Sequence, residues 1–229
     1  MDNLINVYNY EGVTPKKIKV LEGHDGYISS IHFQDNDSKL LTGSGDGLVI
    51  LWDIQAKTKL QEFSGHMGDV SGVAVHDGNP NVFGTSSTDK TCRMWDKRMP
   101  GNVAFRKFTA KYATNCCALM PDAKGIIGGC DNASWEYFDV GSNCQVARGK
   151  VKKGRCESIA LSKSGKIGYL GWDGDTGLVA VDVFIPDNQK KISDGEHTDT
   201  VYNCSVAPDG TALATASFDG STKIWSAAP

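Results

Sequence analysis

Three histidines of this chain recur with the same companions. His24 goes with Ser44, Asp46 and Trp52, His66 with Ser87, Asp89 and Trp95, and His197 with Ser217, Asp219 and Trp225. Each aspartate lies six residues before its tryptophan and two after its serine. Histidine, hydroxyl and carboxylate are the parts of a nucleophilic triad, in which the imidazole takes the hydroxyl proton and the carboxylate orients the imidazole. A triad is needed once, in one cleft, whereas this set occurs three times with one spacing. Repetition fits a structural network instead. The aspartate, at home in a hairpin turn, accepts a hydrogen bond from the incoming histidine, and the serine and indole N–H complete the set. No catalytic residue is assigned and no enzyme is expected. The other two histidines, His32 and His76, have no companion at ligand spacing, so neither a metal nor a cofactor is expected. Gly43-Ser44-Gly45-Asp46-Gly47 lacks the lysine and hydroxyl of a phosphate loop and reads as a tight turn.

The elements that must carry these sets repeat as well. An aromatic or apolar residue closes each unit at Tyr8, Trp52, Trp95, Phe138, Val181 and Trp225, in steps of 43 or 44 residues. Gly-His opens the units at Gly23-His24 and Gly65-His66, with Glu196-His197 a weaker copy, and Trp-Asp closes them at Trp52-Asp53 and Trp95-Asp96. A period in the low forties with these signatures marks the blades of a β-propeller. Short alternating runs at 27–33, 39–44, 48–54 and 59–64 predict four strands in the first full unit. Runs at 70–76, 82–87, 91–96 and 104–109 predict four in the second. The third and fourth units are degenerate, carrying Ala110-Lys111 and Gly149-Lys150 where Gly-His would stand, and Gly174-Asp175-Thr176-Gly177 lengthens the fourth hairpin. The fifth offers three strands, 201–207, 212–217 and 222–226. Residues 17–21 either complete that blade or, with 4–9, form half of a further one. No stretch has sustained helical periodicity.

The expectation is an all-β, single-domain propeller: a partial blade at 1–22, then repeats at 23–64, 65–109, 110–148, 149–195 and 196–229. Five four-stranded blades and an N-terminal strand pair are expected, as an open arc of a seven-bladed type rather than a closed five-bladed ring. Open ends would expose blade faces and unpaired edges.

Bulk properties exclude several roles. With 24 basic and 27 acidic residues the net charge is −3, which gives no general attraction to nucleic acid or anionic lipid. Lys150, Lys152, Lys153 and Arg155 form one basic cluster, read as a solvated loop. No apolar run reaches the roughly 18 residues of a spanning helix, and the first residues lack the pattern of a signal peptide. Seven cysteines, an odd number with no C-x-x-C pair, read as buried thiols of a reducing compartment. A cytoplasmic protein is expected, without direct membrane insertion.

The Gly-His and Trp-Asp signatures identify the chain as a member of the WD-repeat family. Within it the chain resembles the β subunit of heterotrimeric G proteins. The similarity runs in order through DNLINVYN (2–9), LEGHDGY (21–27), SGD (44–46), LWDI (51–54), FSGHMGDV (63–70) and LSKSG (161–165). It implies a non-catalytic signalling scaffold downstream of transmembrane receptors, which binds the α subunit and effectors on one propeller face. Peripheral placement at the inner plasma membrane through partners goes with it. By position, Tyr27, Asp69, Asp131 and Asp173 match α-contact sites and keep the family's residue. Met1, Ser71, Thr114, Cys116 and Phe218 fall on contact sites where the family has Leu, Met, Asp, Asn and Trp. In family members a helix, a first blade and the first half of a second precede the part that this chain matches, so the chain resembles their C-terminal two thirds. Without that helix, which pairs with the γ subunit, γ is not expected as a partner. The alternative is another WD-repeat adaptor, a ribosome-associated or ubiquitin-ligase platform, favoured by a continuous basic surface around Lys150–Arg155.

Overall fold

In a computed structural model of the chain, residues 2–9, 14–34, 37–76, 78–151, 153–174, 177–192 and 197–226 are described. Met1, Lys152, Asp175, Thr176 and Glu196, named above, lie outside the described residues. Each unit of the repeat is one antiparallel sheet whose strands follow in chain order. The first blade comprises β3 (Ile28–Gln34), β4 (Lys39–Ser44), β5 (Val49–Asp53) and β6 (Thr58–Phe63). The second comprises β7 (Val70–Val75), β8 (Val82–Ser87), β9 (Thr91–Asp96) and β10 (Ala104–Thr109). The third is β11 (Thr114–Leu119), β12 (Gly125–Cys130), β13 (Ser134–Asp139) and β14 (Cys144–Lys150). The fourth is β15 (Cys156–Leu161), β16 (Ile167–Trp172), β17 (Leu178–Asp182) and β18 (Gln189–Lys191). The fifth has three strands, β19 (Val201–Val206), β20 (Ala212–Ser217) and β21 (Thr222–Ser226).

The N-terminal strands β1 (Ile5–Asn9) and β2 (Lys16–Leu21) pair with each other. They do not complete the fifth blade, so four blades are four-stranded and the expectation of five is corrected. The reason is packing. Ile5 and Leu21 are buried with Leu40, Ile50 and Trp52 of the first blade, which holds the pair at that end of the chain. A 3-10 turn stands at Pro100–Asn102.

Alternation decides where the core sits. Successive residues of a strand point to opposite faces, and each blade face meets a different neighbour. Leu40 therefore packs on the N-terminal pair while Leu41 packs on the second blade. In the same way Ile126 faces the second blade and Ile127 the fourth. Both faces of a middle strand are covered, which is why these strands read as unbroken runs of small and apolar residues.

The five blades stand in a ring around a cavity of about 910 Å³, lined by the inner strand of every blade. Inner strands pack β3 on β7, β7 on β11, β11 on β15 and β15 on β19, and no comparable packing joins β19 to β3 or to the N-terminal pair. On the fifth blade Ile224 and Phe218 remain 71% and 66% exposed.

Candidate partner-binding face

One end of the ring is built by the same local geometry five times. The loop entering each inner strand supplies a carbonyl, and the residue just after the second strand donates its N–H to it. The pairs are Gly45 to Tyr27 (2.9 Å), Thr88 to Asp69 (3.0 Å), Asp131 to Ala113 (2.9 Å), Asp173 to Arg155 (3.0 Å) and Phe218 to Thr200 (3.0 Å). Tyr27, Asp69, Asp131, Asp173 and Phe218 thus occupy equivalent rungs and share one face.

Their side chains form a belt of contacts, one of which crosses a blade boundary. The Tyr27 hydroxyl donates to Asp69 Oδ2 at 3.0 Å, from the first blade to the second. The ring lies over Gly45, where a Cβ would overlap it. Burial, with the hydrogen bond and negative charge of Asp69, raises the Tyr27 phenol above its usual pKa. Asn115 Nδ2 donates to Asp131 Oδ1 at 2.9 Å, and Asp173 Oδ1 accepts the Arg155 N–H at 2.8 Å. Arg155 Nε meets Glu157 Oε1 at 2.6 Å, a hydrogen bond that raises the guanidinium pKa. Phe218 and Tyr202 meet edge to face at 4.5 Å.

Every inner strand shifts register at the same place, between residues 28 and 30, 70 and 72, 114 and 116, 156 and 158, and 201 and 203. The extra residue of each bulge, Ser29, Ser71, Asn115, Glu157 and Tyr202, lines the cavity next to the belt. Met67, 90% exposed, stands on the same end. Sequence reasoning missed Met67, Asn115, Arg155, Glu157 and Tyr202. The bulge that aims three of them, Asn115, Glu157 and Tyr202, interrupts a strand pattern without changing its composition.

Three residues assigned by resemblance make contacts between blades. Thr114 is fully buried, its hydroxyl donating to the Ser87 carbonyl and accepting the Ser87 N–H, both at 2.9 Å. Cys116, 8% exposed, turns toward the fourth blade. The Ser71 hydroxyl donates to the Thr114 carbonyl of the next blade. These positions fasten blades together. Arg155 of the basic cluster joins the belt, its guanidinium on Glu157 and its backbone N–H on Asp173.

The loops of the face are anchored by the recurring sets. His24 Nδ1 donates to Asp46 Oδ2 at 2.7 Å, and its Nε2 meets Thr42 Oγ1 at 2.8 Å. Trp52 Nε1 donates to the same Thr42 oxygen at 2.9 Å. His66, Asp89, Thr85 and Trp95 repeat this at 2.9, 2.7 and 2.9 Å, and His197, Asp219, Thr215 and Trp225 at 2.8, 2.8 and 2.8 Å. The carboxylate can only accept, so Nδ1 carries the imidazole proton and Nε2 accepts from the threonine. The connecting hydroxyl is the threonine two residues before the expected serine. Ser44, Ser87 and Ser217 instead accept the N–H of Asp46, Asp89 and Asp219 in the turn. The reason is distance from the hairpin: the two hydroxyls share a face, and the one two places nearer the strand centre meets the indole. Thr42 and Thr85 are fully buried there and out of reach of any substrate.

Electrostatics follow from these contacts. Burial works to raise the Asp46 carboxyl, but hydrogen bonds from His24 and from the N–H groups of Leu48 and Asp25 hold it below the ordinary value. Asp89 is held much lower, as bonds from Thr91, His66 and Met67 outweigh its burial. Burial lowers His66 despite Asp89, which keeps the imidazole neutral.

The degenerate blades lose the whole set together. At the threonine position the third blade has Gly128 and the fourth Leu170, paired opposite Glu136 and Val179. Trp135 and Trp172, both fully buried, fill these blades instead, and their indole N–H groups have no partner among the described residues. Among the described residues no group of three or more His, Cys, Asp or Glu could hold a metal ion.

A ring of antiparallel blades, three of them latched by histidine, aspartate, threonine and tryptophan, defines a WD-repeat β-propeller. The sequence profile of the family described as "WD domain, G-beta repeat" matches residues 15–53, 57–96 and 186–226, more than half of the chain, and the chain belongs to that family. The matched segments are those carrying the complete set. The chain is 31% identical to the guanine nucleotide-binding protein subunit beta of Arabidopsis thaliana, over 97% of this chain and 62% of that protein. It is 30% identical to the subunit of the same name from Solanum tuberosum, over 97% and 62%. The Saccharomyces cerevisiae subunit is 28% identical, over 90% and 58%. The chain thus spans less than two thirds of the length of these relatives.

Proposed function

We infer that the chain is a non-catalytic protein-interaction scaffold of G-protein signalling. It binds a G-protein α subunit and effectors on the face of Tyr27, Asp69, Asp131, Asp173 and Phe218. The observation that carries this reading is the common rung. Five positions assigned by resemblance alone, one per blade in chain order, meet on one end of the ring. The names of the relatives support the signalling context. The belt carries Asp69, Asp131, Asp173 and Glu157 against the single charge of Arg155, with exposed Tyr27 and Phe218 as apolar anchors, so it suits a partner presenting cationic and aromatic groups. The protein acts in the cytoplasm and reaches the inner face of the plasma membrane through its partners.

The test is calorimetric titration of the purified chain with a GDP-bound α subunit. Binding that is weakened more than tenfold by combined Asp131→Arg and Asp173→Arg, but not by Ile185→Asp at the opposite end, supports the reading. Folded protein that binds no α subunit rejects it.

A further inference from the structure

Six of the seven cysteines are at least partly buried, and all seven are free thiols. One pair stands apart. Cys116 on β11 and Cys156 on β15 belong to neighbouring blades, and their sulfurs lie 3.7 Å apart. Cys116 Sγ also points at the Cys156 carbonyl oxygen, at 3.6 Å. Both sulfurs lie over Gly129, where a Cβ would come within 2.5 Å of each. The missing side chain at Gly129 is what lets the thiols meet. Cys116 also lines the central cavity, whereas Cys156 is fully buried behind it.

We propose that Cys116 and Cys156 are a peroxide-oxidised pair that forms a disulfide between the third and fourth blades. A covalent S–S bond is about 2.05 Å long, so each sulfur need move by less than about 1 Å. The cavity of about 910 Å³ admits a small oxidant to Cys116. The Cys116 sulfur attacks one peroxide oxygen, the O–O bond breaks, and a sulfenic acid and one water result. Cys156 Sγ then attacks the Cys116 sulfur, the S–O bond breaks, and its hydroxyl leaves with the Cys156 proton as a second water. Two thiols are oxidised by two electrons and one hydrogen peroxide is reduced. The product ties residues 40 positions apart across a blade boundary and limits their separation in the unfolded chain.

Burial shapes the kinetics. It pushes both thiols above the ordinary cysteine value, so little thiolate is present at neutral pH. The thiolate is the nucleophile. Oxidation is therefore slow at pH 7, faster at pH 8.5, and answers to sustained rather than brief peroxide. Exposed Cys144 is the competitor, with a route to links between molecules.

The test is mass mapping of the full chain after hydrogen peroxide treatment, with remaining thiols alkylated before digestion. The expected result is one peptide pair joined through Cys116 and Cys156, two hydrogens lighter than its parts. It forms also in Cys144→Ser protein, is released by dithiothreitol, and is accompanied by a higher Tm that reduction reverses. Cys116→Ser and Cys156→Ser each abolish the linked pair. Mapping of the unsubstituted chain decides the matter even if a variant fails to fold. The proposal is overturned if Cys116 ends as sulfinic acid with Cys156 still alkylated, or if links form only through Cys144.

Discussion

The Tyr27 hydroxyl reaches across the first blade boundary to Asp69 Oδ2 at 3.0 Å, so two residues 42 positions apart act as one contact surface. Tyr27 is 40% exposed and lies flat on Gly45, already ordered before a partner arrives. A partner that covers this ring gains apolar area at little cost in side-chain freedom.

Tyr27→Ala should therefore weaken binding of the proposed α subunit by about tenfold or more, with stability little changed. Tyr27→Phe, which keeps the ring and loses the bond to Asp69, should fall between it and the unsubstituted protein. Titration calorimetry of the three proteins checks the order. Equal affinities would remove Tyr27 from the interface.

The threonine of a latch should matter more than the serine beside it. Thr85→Val keeps the shape but leaves the Trp95 N–H and the His66 Nε2 without their partner. It should cost about 2–3 kcal/mol, the range for two buried polar groups left unpaired. Ser87→Ala removes one acceptor for a turn N–H and should cost about 1 kcal/mol or less. Urea unfolding of both variants measures the difference, and equal losses would contradict the threonine's central place.

Tryptophans of the two blade types should respond differently. Trp95 donates to Thr85, whereas Trp172 is equally buried with an unpaired N–H. Replacement by phenylalanine opens space in either core. Only Trp95→Phe also breaks a hydrogen bond, so it should be the costlier change, by about 1 kcal/mol. Chemical denaturation ranks them.

Acid should destabilise the fold in two stages. The folded His66 pKa lies below its unfolded value near 6.5, so the unfolded chain binds more protons and stability falls as pH drops below that value. The folded pKa values of Asp46, Asp89 and Asp219 lie below the ordinary 3.8. Their contribution is complete above that value and is lost as pH falls through the depressed ones. Unfolding free energy should therefore decline from pH 7 to 5 and again below pH 4. His66→Gln should flatten the first decline.

The seam should govern solution behaviour. Ile224, 71% exposed on β21, and Phe218 leave an apolar edge on the fifth blade, the kind of surface that drives association. Light scattering over a concentration series should show mass rising above 24.6 kDa, and Ile224→Lys should suppress the rise.

Much of this molecule is legible in its sequence, because repeats need only local rules. The Gly-His and Trp-Asp spacings mark the blades, alternation marks the strands, and resemblance places Tyr27, Asp69, Asp131, Asp173 and Phe218 on one face. Other features depend on how blades meet. Whether 16–21 closes the fifth blade or pairs with 5–9 is settled by the cluster of Ile5 and Leu21 with Leu40 and Trp52. Serine and threonine are alike as hydroxyls and here share a face of β4, and only their place along the strand decides that Thr42 meets the indole while Ser44 serves the turn. Thr114 and Cys116 match partner-contact positions by order in the chain, yet the bulge beside them turns both into neighbouring blades. Spacing along the chain determines each sheet. Contacts between sheets arise from residues some forty positions apart, and those only the folded ring brings together.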